Sequence, residues 1–315
     1  MSQYNITNLP PGVTIDDISP YGYVPTRAIS FLFLALFGLS TATHLAQAIY
    51  FRLWFLLPTV VLCGLGELTG WSGRLWSSYN IQNDNAFLMQ ITTTIISPTP
   101  LIAANFIMLG RIIYRLGEGY SRLNQRWYTR IFLSCDIIAL VIQGAGGGIA
   151  SSANDKAGSD LGANIMLAGI IFQLVCIIIY TALAAEFLWH YVKDRPFRRA
   201  FVYEHRSQTP RRLKIMLLGM CIMTVLLFIR SIYRTVELAD GWDGVIINTE
   251  WPFDIFDGAM ITLAMITLNV IHPGFFLVPE EYTEEDALAA RGGKTSAAST
   301  QSMLEYRPST ATTAV

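Results

Sequence analysis

Residues 162–190 read GANIMLAGIIFQLVCIIIYTALAAEFLWH, and no Asp, Glu, Lys or Arg interrupts them from Gly162 to Ala185. A bilayer core about 30 Å thick is crossed by about 20 apolar residues of helix, so this stretch reads as a membrane span with length to tilt. The pattern recurs over residues 27–49, 53–76, 86–113, 128–150, 213–236 and 252–277. The expected fold is therefore all-α: a polytopic bundle of seven transmembrane helices. The chain is 52% hydrophobic and 14% charged, with a mean hydropathy of +0.41. A soluble domain carries about a quarter charged residues, and here the charge is missing in blocks. The third segment contains Ser97-Pro98-Thr99-Pro100 near its middle. Two prolines remove two helical donors, which predicts a kink or break whose freed carbonyls neighbouring helices satisfy.

Loop charge sets the expected orientation. Arg52, the loop around Arg115, Arg122 and Arg126, and the loop from Lys193 to Lys214 place fourteen Lys and Arg on one side of the bundle, against five on the other, before the C-terminal tail. The N-terminus is then outside and the C-terminus cytoplasmic. Asn5-Ile6-Thr7 is a glycosylation sequon in the segment assigned to the exterior. Residues 1–20 are polar, so the first span is expected to act as its own insertion signal. The expected organisation is an extracellular segment over 1–22, a membrane domain over 23–278 and a disordered cytoplasmic tail over 279–315. That tail is acidic at first and then rich in Ser, Thr and Ala. Cys63, Cys135, Cys176 and Cys221 all fall in apolar segments without a short-spaced motif, and read as packing residues.

Ionisable residues inside spans cost a few kcal/mol each, so each needs a reason. The second segment ends with Glu67 and Arg74. The sixth ends with Arg230, Arg234 and Glu237 on one helix face, and the seventh opens with Glu250, Asp254 and Asp257. Five acids stand against three bases at what the loop charges make the outer end. Two roles fit: ion pairs that pin helices two, six and seven together, or a polar vestibule for a cationic or zwitterionic head group. Deeper, Asp136 and Gln143 share a face of the fourth segment, which ends in the run Gly144 to Gly148. These small residues allow close helix approach; an unwound stretch lining a path is the alternative. No Lys-Ser/Thr comes after them, so they form no phosphate loop. His272-Pro273-Gly274 most simply ends the last helix, with a protonatable gate formed by His44 and His272 as the other role.

Several seven-helix classes are disfavoured. The lysines are Lys156, Lys193, Lys214 and Lys294, so none lies in the last helix to hold retinal. Helix three closes with Gly110-Arg111-Ile112-Ile113-Tyr114, without an acid-Arg-aromatic receptor signature. Only His44 and His272 lie within spans, His190 standing at the edge of the basic loop, fewer than the three ligands a membrane zinc hydrolase uses.

The ordered set Tyr23-Val24-Pro25, Glu67-x-x-Gly70 with Arg74, Pro98, Gly110-Arg111-Ile112-Ile113, Asp136 with Gln143 and the glycine run, Gln173, Arg230-Ser231-x-Tyr233-Arg234-x-x-Glu237, Glu250, Asp257 and His272-Pro273-Gly274 carries a resemblance. Over roughly residues 20–277 the chain resembles the fungal lipid-translocating exporter family, which includes aminocholesterol-resistance and sphingoid-base-resistance membrane proteins. Trp71, Asn105-Phe106, Pro252 and Asp254 depart from the family pattern. The resemblance implies a fungal source, seven helices and movement of amphipathic lipids or lipid-like metabolites such as sphingoid bases. Resistance to toxic amphiphiles, or service to a metabolite cluster, would be the consequence. The expected role is a lipid transporter and not an enzyme. No cofactor, metal or nucleic acid is expected, membrane lipids are the partners, and the plasma membrane or another endomembrane is the location. Glu67, Arg74, Arg230, Arg234, Glu237, Glu250 and Asp257 would receive a head group, and Asp136 and Gln143 would continue the path inward. A seven-helix lipid sensor signalling through the basic loop 191–214 and the tail is the alternative. A zinc lipid hydrolase is a weaker one.

Overall fold

A computed structural model describes residues 19–277 apart from 154, 198–210 and 243. Seven helical spans cross it: Arg27–Tyr50, Trp54–Tyr79, Asp84–Leu116, Gln125–Ser152, Lys156–Val192, Arg211–Asp240 and Glu250–Phe276. Each contains nearly all of an apolar segment of the sequence and is long and apolar enough to cross a bilayer, and no strand occurs among the described residues. The chain is a multi-pass, all-helical membrane protein. The Asn5 sequon, the tail 279–315 and the middle of the basic loop lie outside the described residues. The two ends of the bundle are named here by residues they carry, the Glu250 end and the His272 end.

Three local irregularities have their cause in the sequence. The third span breaks at Ser97, between helices Asp84–Ile96 and Pro98–Leu116, because Pro98 has no N–H to continue the ladder. The second span opens with a 3-10 turn, Trp54–Leu56, and a π turn, Leu57–Val61, around Pro58. The seventh contains a π turn over Asp254–Ala259, and its long helix ends at Val270. His272 then caps the short helix Pro273–Phe276, its Nδ1 accepting from the Gly274 N–H at 3.1 Å.

Glycines bring the spans close. A Cβ on Gly66, Gly70 or Gly73, one stripe of the second span, would lie 2.2 Å from Ser97, 2.5 Å from Thr94 and 2.9 Å from the Ala86 carbonyl. Spans two and three therefore approach at a distance only glycine permits. The fourth and fifth spans meet the same way. A Cβ on Gly146 would sit 2.6 Å from the Met166 nitrogen, and one on Gly162 2.5 Å from the Ala150 nitrogen. The helix Gln125–Ser152 runs unbroken through the glycine run, so the unwound alternative does not hold.

Leu32, Leu39, Ile49, Val141, Ile178, Leu218 and Val270 are exposed and form part of the lipid-facing surface. Five exposed tryptophans mark the span ends: Trp76 and Trp251 at the Glu250 end, Trp54, Trp127 and Trp189 at the other. Amphipathic indoles favour the two membrane–water interfaces. The apolar core, including Phe37, Leu56, Leu101, Met108, Ile112 and Ile261, lies between these belts.

Candidate functional site

Seven of the nine sequence-predicted site residues converge at the Glu250 end of spans two, six and seven. At the centre is Asp257, fully buried in the π turn of the seventh span. Its Oδ1 accepts from Arg230 Nε at 2.8 Å and from Arg234 Nε at 3.0 Å, and its Oδ2 from Arg234 Nη2 at 2.8 Å. Arg234 Nη1 donates to Glu237 Oε2 at 2.6 Å, and the Tyr233 hydroxyl to Glu237 Oε1 at 2.8 Å. The spacing 230, 233, 234 and 237 places these four on adjoining turns of one helix face. Buried charge is tolerated here because each guanidinium has both a carboxylate and further acceptors.

The further acceptors come from the broken third span. Arg230 Nη2 donates to the carbonyls of Thr94 at 2.5 Å and Ile95 at 3.4 Å, and Arg234 Nη2 to Thr94 Oγ1 at 2.7 Å. Thr94 is four residues before Pro98, so its carbonyl is the one that Pro98 deprives of a helical donor. Arg230 fills that vacancy. The proline break and the ion network are one construction, and Gly70 lets Thr94 approach closely enough to join it.

Nearer the end of the bundle Arg74 forms a second centre. Its Nη2 donates to the Tyr23 hydroxyl at 3.0 Å, Glu250 Oε1 at 3.1 Å and Asp254 Oδ1 at 3.5 Å. The guanidinium lies 4.6 Å from the Phe253 ring centre and 5.6 Å from those of Tyr21, Tyr23 and Trp71. Glu250 also accepts from the Thr26 N–H and hydroxyl, both at 2.7 Å. The segment before the first span is thus folded over the site. Gly22, at φ +71°, makes the turn there, and burial pushes the Tyr21 phenol up to about 12. Between the two centres is a narrow crevice lined by Tyr21, Tyr23, Arg74, Gln90, Glu237 and Phe253, among others.

Glu67 completes the group differently. It is fully buried beside Asp257, Arg230 and Arg234, yet neither oxygen has a hydrogen-bond partner. The Trp71 indole N–H, one turn along, is near but closes no hydrogen bond.

Asp136 and Gln143 are elsewhere. Gln143 Nε2 donates to Gln173 Oε1 and Gln173 Nε2 to Thr99 Oγ1, both at 3.1 Å, in a chain joining spans four, five and three. Asp136 is buried near Gln173, its carboxylate oxygens unpaired. These two belong to a polar cluster of their own, which meets span three at Thr99. Sequence reasoning passed over Thr94, Thr26 and Tyr21, and left Asp254 out of the site. Among the described residues no three His, Cys, Asp or Glu side chains converge as a metal-ligand set.

Comparison with known proteins places this geometry. The chain is 29% identical over 280 residues, 81% of this chain and 73% of the relative, to the sphingoid long-chain base transporter RSB1 of Saccharomyces cerevisiae. It is 28% identical over 205 residues, 65% of this chain and 63% of the relative, to protein RTM1 of Saccharomyces cerevisiae. It is 24% identical over 287 residues, 79% of this chain and 90% of the relative, to protoporphyrin uptake protein 1 of the same yeast. No solved structure matches. The family described as RTA1-like protein matches residues 60–280, which contain every charged member of the site. The chain therefore belongs to the RTA1-like family.

Proposed function

We propose that this protein is a transmembrane transporter of amphipathic lipids or lipid-like metabolites with a cationic or zwitterionic head group, sphingoid bases being the model cargo. The observation that carries the reading is the Arg74 centre. Two carboxylates, Glu250 and Asp254, share one guanidinium there, and Glu250 is the partly exposed member, its side chain 21% accessible. A cationic head group arriving at this end can replace Thr26 and Arg74 as the partner of Glu250 and restore charge balance. The name of the relative RSB1 supports transport, with a base as cargo. The basic loops favour a cytoplasmic His272 end and an outer Glu250 end. The plasma membrane is the proposed location, with resistance to toxic amphiphiles as the outcome for the cell.

The test is efflux of a labelled sphingoid base from cells or proteoliposomes, comparing the native protein with Glu250→Gln and Arg230→Gln. Both variants should lose most of the protein-dependent rate. Native rates in variants that are folded and inserted would sink the reading.

A further inference from the structure

Glu67 stands apart from the neighbours it touches. Asp257 from span seven accepts three charge-assisted hydrogen bonds, and Glu237 from span six accepts two hydrogen bonds. Glu67 accepts none by geometry. The groups that face it are Asp257, Arg230 and Arg234 across the interface, and Cys63 and Trp71 on its own span. Spans one and three bring hydroxyls to the adjacent turns, Thr41 against Gly64 and Thr93 against Gly70. Three carboxylates thus surround two guanidiniums. All three donor nitrogens of Arg234 are committed elsewhere, and Nε and Nη2 of Arg230 engage Asp257 and the span-three carbonyls. An ionised carboxylate buried without donors is far costlier than a neutral one. The local charge balances when one carboxyl holds a proton, and the one that closes no hydrogen bond is the one to hold it.

Towards the His272 end, spans one and seven carry a further set of buried polar groups. Its members are the unpaired, buried hydroxyls of Thr41 and Thr262, then His44 and His272. His44 Nε2 lies 3.0 Å from the Met265 carbonyl, which can only accept, so Nε2 carries the proton and Nδ1 is a bare acceptor. His272 Nδ1 accepts from Gly274, so Nε2 carries the proton. The rings are 6.4 Å apart between centres, and the two nitrogens left open, one acceptor and one donor, are both buried without partners. Their needs are complementary, and a water between them would satisfy both. In the other direction exposure rises stepwise from Asp257 through Asp254 to Glu250.

We infer that Glu67 is the proton-exchanging carboxyl of a cation–proton antiporter. This rests on the reading of the chain as a translocator of cationic amphiphiles. The carboxyl O–H breaks and its proton leaves by way of Thr41, His44 and His272 as one cationic head group takes its place beside the carboxylate. One proton returns to the carboxylate when the head group departs, so one cation replaces another and charge balances. Glu67→Gln mimics the neutral carboxyl and keeps the fold, but cannot exchange a proton.

The experiment uses the full chain in proteoliposomes and a labelled long-chain quaternary ammonium probe, which cannot itself deprotonate. Native flux should change by up to about tenfold for a gradient of about one pH unit, since one unit is a tenfold change in the ratio of protonated to ionised carboxyl. Glu67→Gln should lose that response while retaining native thermal stability. Infrared difference spectra should show a protonated-carboxyl C=O band at neutral pH that Glu67→Gln removes. Native flux indifferent to the gradient, or no such band, overturns the inference and leaves the transporter reading standing. Absence of any probe movement by folded native protein overturns both.

Discussion

The coupling between Pro98 and Arg230 can be measured. Arg230→Met removes a guanidinium from Asp257 and also strips the Thr94 carbonyl of the donor that stands in for the missing helical one. Breaking a buried pair costs about 3–5 kcal/mol. The part owed to the carbonyl is the part that Pro98 created. Ser97 already has helical dihedrals, φ −54° and ψ −40°, so in Pro98→Ala the new N–H points at Thr94 without rearrangement. An orphaned buried carbonyl costs about 1–3 kcal/mol. Hydrogen bonds measured by double-mutant cycles within membranes average only about 0.6 and reach about 1.7 kcal/mol, because the reference state also finds partners. This bond is charge-assisted, which puts it at the upper end, so Arg230→Met should cost about 1–2 kcal/mol less in the Pro98→Ala background. At about 2–4 °C per kcal/mol for a domain of this size, the midpoint loss shrinks by about 2–8 °C. Thermal unfolding of the four proteins in one detergent completes the cycle. Asp257→Ala serves as control: Asp257 makes no hydrogen bond to Thr94, and its cost should not fall in the Pro98→Ala background. Additivity of Pro98→Ala and Arg230→Met within about 0.5 kcal/mol, the usual limit for independent sites, would falsify the assignment.

Gly146→Val should cost about 1–3 kcal/mol by overpacking, because its Cβ has backbone 2.6 Å away, whereas Gly148→Ala, with open space around it, should be neutral or slightly stabilising through helix propensity; thermal midpoints of the two decide. Glu250→Gln weakens the hold on Thr26 and Arg74, so amide exchange over residues 19–26 should accelerate about tenfold, at about 1.4 kcal/mol for a partly exposed charge-assisted contact; unchanged exchange would mean that the segment is held by its aromatic contacts instead. Arg74→Lys should behave as a substantial loss and not as a conservative change, because an ammonium cannot serve Tyr23 and Glu250 while lying flat among four rings; native stability together with native sphingoid-base efflux would contradict this.

The spans were legible because hydrocarbon imposes length and apolarity on every crossing helix, and the break at Ser97 because a missing N–H is written in the residue itself. The stripe of 230, 234 and 237 was legible for the same kind of reason, since a regular helix repeats its faces at fixed spacing. Pairing was not. Arg230 takes a backbone carbonyl of the third span, and carbonyls carry no sequence identity. The available signal was Pro98 itself, which marks Thr94 four residues earlier as needing a donor. Asp136 and Gln143 were expected to continue the path because they share a face, but a shared face does not say which helix it meets. Gln173, polar in the most apolar segment of the chain, was the pointer to the fifth span.

The acids of the seventh span make the same point more sharply. Glu250, Asp254 and Asp257 fit one face if every turn is an α turn. Instead the π turn over Asp254–Ala259 widens the helix just where they stand. An extra residue in a turn rotates the helix on its N-terminal side against the helix on its C-terminal side, and such insertions are frequent at functional sites. The outcome is a division of labour: Glu250 and Asp254 turn to Arg74 near the surface, while Asp257 turns inward to Arg230 and Arg234. Gly258, whose Cβ would lie 2.6 Å from the Trp71 ring, lets the widened turn lie against the second span, bringing Asp257 beside Glu67. Had the helix stayed regular, the three carboxylates would repel one another along a single stripe. Split by the π turn, they form one centre partly exposed at the Glu250 end and one closed around charge, with Glu67 beside it.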